Sequence, residues 1–280
     1  MQELFEAVSN QLDEKSKRLL ICAREKGASS WLSSLPIRRL GYAINKQEFR
    51  DAIALRYGWK ICDLPSFCGC GSSNSIDHAL VCKKGGYVSM RHNALRDLEG
   101  RLMESVCKDV RIEPALLPVL NDAVEGNSSD QARLDISARG IWAGYEKCFF
   151  DVRVTHPTAD SHMKKSLEQI YRENENEKKR AYGNRVRESE KGAFTPLVFT
   201  TTGGMGNECL KLNKRLAELM SQKTGEAYSD VMRHIRSRLR FALLRSTLVA
   251  IRGYRGKLQN LKEDDLSDIC FNLIPEARDF

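Results

Sequence analysis

"RLDISARGIWAGYEKCFFDVRV", residues 133–154, is the stretch whose reading decides the fold. Two short apolar runs, "RLDIS" and "CFFDVRV", each carry one aspartate at an inner position, Asp135 and Asp151. The runs are rich in strand-forming residues and a turn around "ARGIWAGYE" joins them, so they read as neighbouring strands. A carboxylate among such residues costs free energy unless something compensates for it. Two acids at the ends of adjacent strands can share one or two divalent cations, which is one such compensation. Mg²⁺, or Mn²⁺ in its place, prefers such an oxygen-only environment.

The flanking sequence predicts the scaffold. Leu95, Leu98, Leu102 and Val106 recur at helical spacing in "NALRDLEGRLMESVCKDV", residues 93–110, giving a helix with one buried stripe. "RIEPALLPV", residues 111–119, is extended, with Pro114 and Pro118 favouring a short or edge strand. "NDAVEGNSSD", residues 121–130, reads as a polar loop. Residues 162–190 read as a long charged helix, "TPLVFTT" from Thr195 as a buried strand, "GGMG" as a turn, and 207–223 and 229–251 as helices. From Arg91 onward the order is therefore helix, three strands, helix, strand, helix, helix. It predicts an α/β (α+β) core with a central mixed sheet flanked by helices. The glycine turn could bring backbone close to a phosphate, but a plain tight turn fits as well, and no GKS or GKT follows to make a nucleotide P-loop.

Upstream, residues 2–26 read as one polar helix, and residues 45–59 as a second with Phe49, Ile53 and Tyr57 on one face. Between that helix and Arg91 the chain is dense in Cys, Gly and Ser. Cys68 and Cys70 sit on a Gly-rich turn; His78 and Cys82 fall four residues apart in "SIDHALVC", where Ser75 can cap a short helix. Four such ligands suit a tetrahedral structural Zn²⁺, worth roughly 10 kcal/mol or more to a module with little core. Ordinary reduced core cysteines are the alternative, and Cys62 and His92 are spare ligands.

Composition narrows the class. Of 280 residues, 29% are charged and 41% hydrophobic, as in a folded globular chain. Glu3 and Glu6 break any N-terminal apolar segment and no uncharged run reaches membrane-spanning length. Nine cysteines without a secretory signal argue for reduced thiols in a nuclear or cytoplasmic protein. The net charge is +8, and its excess is concentrated: Tyr228 to Lys257 holds eight Lys/Arg, including Arg233, Arg236 and Arg240, against Asp230 alone. Such a stripe suggests a polyanion, DNA first and RNA second. A packed amphipathic helix is the alternative; both hold if Ile235, Leu239, Ala242 and Leu243 face a core and the arginines face out.

Around the aspartates, Arg153 shares a strand face with Asp151 and can clamp a phosphate, though it cannot act as a base. Lys178 and Tyr182, at i and i+4, offer two phosphate-reaching groups on one helix face, unless that face is only solvated surface. Glu99, beside the leucine stripe, is either a third acid facing the sheet edge or an exposed helix glutamate.

Taken in order, these motifs resemble the PD-(D/E)XK nuclease superfamily. Within it they more closely resemble the restriction-like endonuclease domain at the C-terminus of site-specific non-LTR retrotransposon proteins, including transposon-derived metazoan chains. The resemblance runs over about residues 30–255. It rests on a CCHC set (Cys68, Cys70, His78, Cys82), an Arg/His segment (Arg91, His92), two strand aspartates (Asp135, Asp151) and a Lys-x-x-x-Tyr motif (Lys178, Tyr182). It implies a helical region 1–60, a zinc knuckle 61–90, a nuclease-like domain 91–257 and a tail 258–280. It further implies Mg²⁺-dependent hydrolysis of DNA phosphodiesters. The alternative is a domesticated or truncated relative that binds nucleic acid without cutting. Leu134 stands where the motif has proline and Arg153 where it has lysine, so Lys178 must supply any lysine function.

Overall fold

A computed structural model describes residues 2–118, 129 and 131–255. The loop predicted over 121–130, apart from Ser129, lies outside them, as do Lys257 and the 258–280 tail. The elements are α1 (Gln2–Ser9), α2 (Glu14–Arg24), α3 (Ser30–Ser33), α4 (Lys46–Tyr57), α5 (Ile76–Val81), α6 (Tyr87–Glu104), β1 (Lys108–Ile112), β2 (Ile136–Arg139), β3 (Lys147–Thr155), α7 (Leu167–Lys178), β4 (Ala193–Thr200), α8 (Asn207–Thr224) and α9 (Tyr228–Arg252).

The four strands form one sheet in the order β1-β2-β3-β4. β1/β2 and β2/β3 pair antiparallel; β3/β4 pair parallel, with Asp151 opposite Pro196. Phe150, Val152, Leu197 and Phe199 pack with Leu95, Leu98 and Leu102 of α6, Leu212 and Leu216 of α8, and Ile235, Leu239 and Leu243 of α9. The alternate residues meet a second cluster of Leu116, Leu134, Phe149 and Val186, with Tyr182 and Phe194 against it. The molecule is thus the expected mixed α/β arrangement, a mixed sheet covered by helices. Leu134 is 1% exposed and fills that second cluster.

Three elements depart from the periodicity. The helix predicted over 2–26 is two: Asp13 accepts from the amides of Lys15 and Ser16 and starts α2 afresh. The first strand begins at Lys108, three residues before the predicted segment, because α6 stops at Glu104. In α4, Phe49 and Tyr57 are exposed, and the buried positions are Asp51, Ala52 and Ala54. The α4 cap is as local chemistry dictates, a reciprocal Asn45/Glu48 box.

α9 is the hub. Its first half closes the main core; further along, Phe241 and Leu248 pack on Trp31, Tyr42 and Ala52, and Ala250 and Ile251 on Ala54, Ile61, Ala79 and Leu80. Its arginines bind carbonyls of the segments it gathers. Arg240 donates to Gly27 O (3.0 Å), Thr202 O (2.9 Å) and Gly203 O; Arg245 to Ala43 O; and Arg255, just past the helix, to Ala79 O (2.9 Å) and Ala250 O. Gly203 has φ +96°, and a Cβ there would run into the Arg240 guanidinium. Arg252 forms a bidentate pair with Asp51 at 2.7 and 2.8 Å. The expected outward row of arginines is therefore largely turned inward.

Candidate functional site

β2 starts late. Its first paired residue, Ile136, faces Phe150 of β3, and β3 continues to Thr155. Beside β2 this leaves a notch where Val152 turns its N–H towards the β2 side. Asp135, one residue ahead of β2, fills the notch: its Oδ2 accepts from Val152 N at 2.6 Å. Its Oδ1 lies 2.9 Å from His92 Nε2, on the first half of α6. The Val152 carbonyl faces the same edge, because N–H and C=O of one strand residue point the same way.

Asp151 projects from the opposite sheet face to Phe150 and Val152, on the side covered by α7. It is 6% exposed, and Lys178 Nζ, at the last residue of α7, sits 2.6 Å from its Oδ2. Burial pushes the Asp151 carboxyl above its ordinary range; the Lys178 ammonium opposes that and the Asp135 carboxylate adds to it. The helix then widens into a π-turn over Lys179–Gly183, a local distortion that recurs at functional sites. The turn keeps Tyr182 next to Lys178, whose ammonium lies 5.7 Å from the ring centroid. Arg153, two residues beyond Asp151, pairs with Glu177 at 3.3 Å on the open rim. His92 and the Val152 amide thus meet at Asp135, and Lys178 with Tyr182 beside it meets Asp151 one residue earlier on β3. The charges of Asp135 and His92 act on Asp151, and Arg153 lies on the rim.

Glu99 does not join them. It is fully buried, accepts from Asn213 Nδ2 on α8 at 3.3 Å, and burial pushes its carboxyl up to about 7. It lies under the sheet instead of at its edge because the leucine stripe beside it is the core-facing one. Two residues expected to meet nucleic acid are also internal. Arg91 is 2% exposed and donates to Leu80 O at 2.8 Å; Arg240 is 4% exposed and spent on three carbonyls. Arg233 is exposed beside Asp230, and Arg236 is half-buried.

The second site is the cysteine cluster. Backbone bonds Cys68 N to Ser72 O (2.9 Å) and Gly71 N to Cys68 O (2.8 Å) fold "CGCGS" into a tight turn. Ser75 accepts from His78 N at 3.0 Å and starts α5, putting His78 and Cys82 on one side. The ligand atoms of Cys68, Cys70, His78 and Cys82 all lie within 4.8 Å of one another. Cys68 Sγ and Cys82 Sγ are 3.8 Å apart, and Zn–S bonds of about 2.3 Å in a tetrahedron require about 3.8 Å between sulfurs. Cys70 Sγ is 3.3 Å from His78 Nε2. The cluster is compatible with a structural zinc. The spare ligands are not in this group: Cys62 is not among its gathered ligand atoms, and His92 Nε2 lies against Asp135.

No local sequence pattern singles out Asp77 and His156. Asp77, beside His78, has Oδ1 2.8 Å from His156 Nε2 and accepts there from Thr158 Oγ1, also at 2.8 Å; its Oδ2 pairs with Lys15. His156 Nδ1 is 2.7 Å from Thr201 Oγ1. These partners are 62 to 81 positions from Asp77, so no local spacing announces them.

Among the described residues no helix is long and apolar enough to cross a membrane. No protein-family model matches the chain, and no curated protein matches it at a significant level.

Proposed function

We propose that the chain is a metal-dependent DNA endonuclease of the PD-(D/E)XK type, of retrotransposon origin, with a zinc knuckle packed on its nuclease core. The observation that supports this reading is an Asp151–Lys178 pair on β3 directly beside Val152, whose amide is bonded by Asp135. Asp135 and Asp151 would hold Mg²⁺ or Mn²⁺, and their all-oxygen donor set suits either ion. When bound, such an ion lowers the pKa of an attacking water and neutralises the leaving oxygen. The protein's own groups do the rest. Val152 N–H and His92 fix the rotamer of Asp135. Lys178 balances the charge of buried Asp151 and would stabilise charge on a scissile phosphate. Tyr182 confines Lys178, and Arg153 offers the rim a planar phosphate clamp. Outside the notch, Arg233 and Arg236 remain for backbone phosphates.

A second reading is a relative that binds nucleic acid without cutting it. The pairing within the notch favours it: His92 and Val152 N–H engage both oxygens of Asp135, and Lys178 engages Asp151. Glu99 is turned away to Asn213. Supercoiled plasmid incubated with the protein and Mg²⁺, beside an Asp151→Ala control, separates the two. Nicking lost in the variant supports the nuclease. Salt-sensitive binding without nicking by either protein supports the second reading and overturns the first.

A further inference from the structure

The two sites are joined. α5 is six residues long, too short to be stable by itself. It carries the zinc-ligand candidate His78 and is followed directly by Cys82. Its other polar groups reach outward to the elements that build the notch. At one end, Asp77 bonds His156 and Thr158, the segment that leaves β3 immediately after Asp151–Thr155. At the other end, the Leu80 carbonyl accepts from Arg91, the neighbour of His92 on α6. The Ala79 carbonyl accepts from Arg255, past the end of α9. Ala79 and Leu80 are also buried against Ala250 and Ile251. Two of the anchored elements carry the groups that meet at Asp135: α6 supplies His92, and β3 supplies the Val152 amide.

We propose that the knuckle is an intramolecular clasp: zinc orders α5, and α5 holds the start of α6 and the exit of β3 in the positions that bring His92 and Val152 to Asp135. Arg91 shows why the coupling is tight. It is 2% exposed, and its Nε and Nη1 have no hydrogen-bond partner among the described residues, so the Leu80 carbonyl anchors the guanidinium through Nη2. A buried guanidinium that loses such a partner is strongly unfavourable. If α5 melts, Arg91 must leave its site, and His92 moves with it. His156 is likewise buried, and without Asp77 its Nε2 keeps Thr158 alone, 2.9 Å away. Arg91 and Asp77 are accordingly positioning residues, acting through His92 and through the exit of β3. The proposal rests on the zinc reading of the cluster and not on DNA cleavage.

The test is backbone hydrogen exchange on the full chain, read by peptide mass spectrometry. The zinc-loaded protein is compared with protein stripped by a chelator and with stripped protein reloaded with zinc. The expected result is exchange faster by about tenfold or more, not only in 66–82 but also in peptides covering 87–95 and 152–160, and restored on reloading. Peptides of α8 should be unchanged. Faster exchange confined to 66–82 overturns the clasp. If stripping unfolds the whole chain, Asp77→Asn with zinc kept in place decides. Faster exchange at 152–160 supports the proposal, and unchanged exchange there overturns it. None of these readouts needs nicking, so the clasp stands or falls by the same measurements in a chain that never cuts DNA.

Discussion

Lys178 Nζ stands 2.6 Å from Asp151 Oδ2, joining the end of α7 to the middle of β3 across a site only 6% exposed at the aspartate. The pair combines two opposed effects. Burial raises the Asp151 carboxyl, and the ammonium beside it pulls the carboxyl back. If Asp151 holds a cation it must be ionised, a state that Lys178 favours while also occupying the carboxylate.

Replacing Lys178 by Met removes the lowering influence, and the Asp151 carboxyl rises further. If Asp151 holds Mn²⁺, binding then fails at a higher pH, because the carboxyl is protonated over more of the range. On the nuclease reading, a pH series of Mn²⁺ titrations by calorimetry should show the acid limb moved upward in the variant, and nicking at pH 7 reduced by about a hundredfold. An unmoved acid limb would show that Lys178 does not set the charge of Asp151.

The zinc cluster makes its own prediction. Wild-type protein should bind one zinc per chain, and His78→Ala should reduce metal content to near zero in elemental analysis of dialysed protein. Cobalt loaded in place of zinc should give the intense visible absorption of a tetrahedral thiolate site. Undiminished metal in the His78→Ala protein would place the zinc somewhere other than this cluster.

How far the sequence reached depends on the range of each interaction. The strand aspartates were visible because a charge inside a period-2 apolar run is locally anomalous, and His78 and Cys82 because a capped helix fixes i and i+4. The start of α2 was visible in principle, since Asp13 is an N-cap type in the middle of the supposed long helix. The internal role of α9 was not. Arg240 directly follows Leu239 on the apolar side of the helix, but a count of charges does not say whether a guanidinium meets phosphate or a ring of carbonyls. Asp77 and His156, 79 positions apart, become partners only once α5 is laid across the exit of β3.

Glu99 offers a pH test of the core. Its carboxyl is raised from an ordinary 4.5 to about 7 because burial penalises the charge. The folded chain therefore binds more protons than the unfolded chain between these values, and stability falls as pH rises from about 4.5 to about 7. Above that the cost is fully present. Glu99→Gln removes the ionisable group, so it should stabilise the protein above pH 7 by on the order of a few kcal/mol and change little near pH 4. Denaturant unfolding at the two pH values gives the comparison. Equal effects at both would mean that Glu99 is not raised.

The arginines of α9 divide by depth, and the division predicts two distinct phenotypes. Arg240 is buried against three carbonyls, with burial lowering its own pKa to about 10. Arg240→Met strands those carbonyls, each worth about 1 kcal/mol or more, and should cost about 3 kcal/mol or more in denaturant unfolding. Gly203→Ala should act in the same direction, because the methyl group lands on the guanidinium at a backbone φ of +96°. Arg233 lies on the surface, and its salt bridge with Asp230 is exposed on both sides, so Arg233→Ala should change stability by no more than about 0.5 kcal/mol. If α9 meets DNA at all, Arg233→Ala should weaken binding and reduce the slope of log affinity against log salt by about one. A fully stable Arg240→Met protein that has lost DNA binding would reverse the assignment and return the basic helix to the outside.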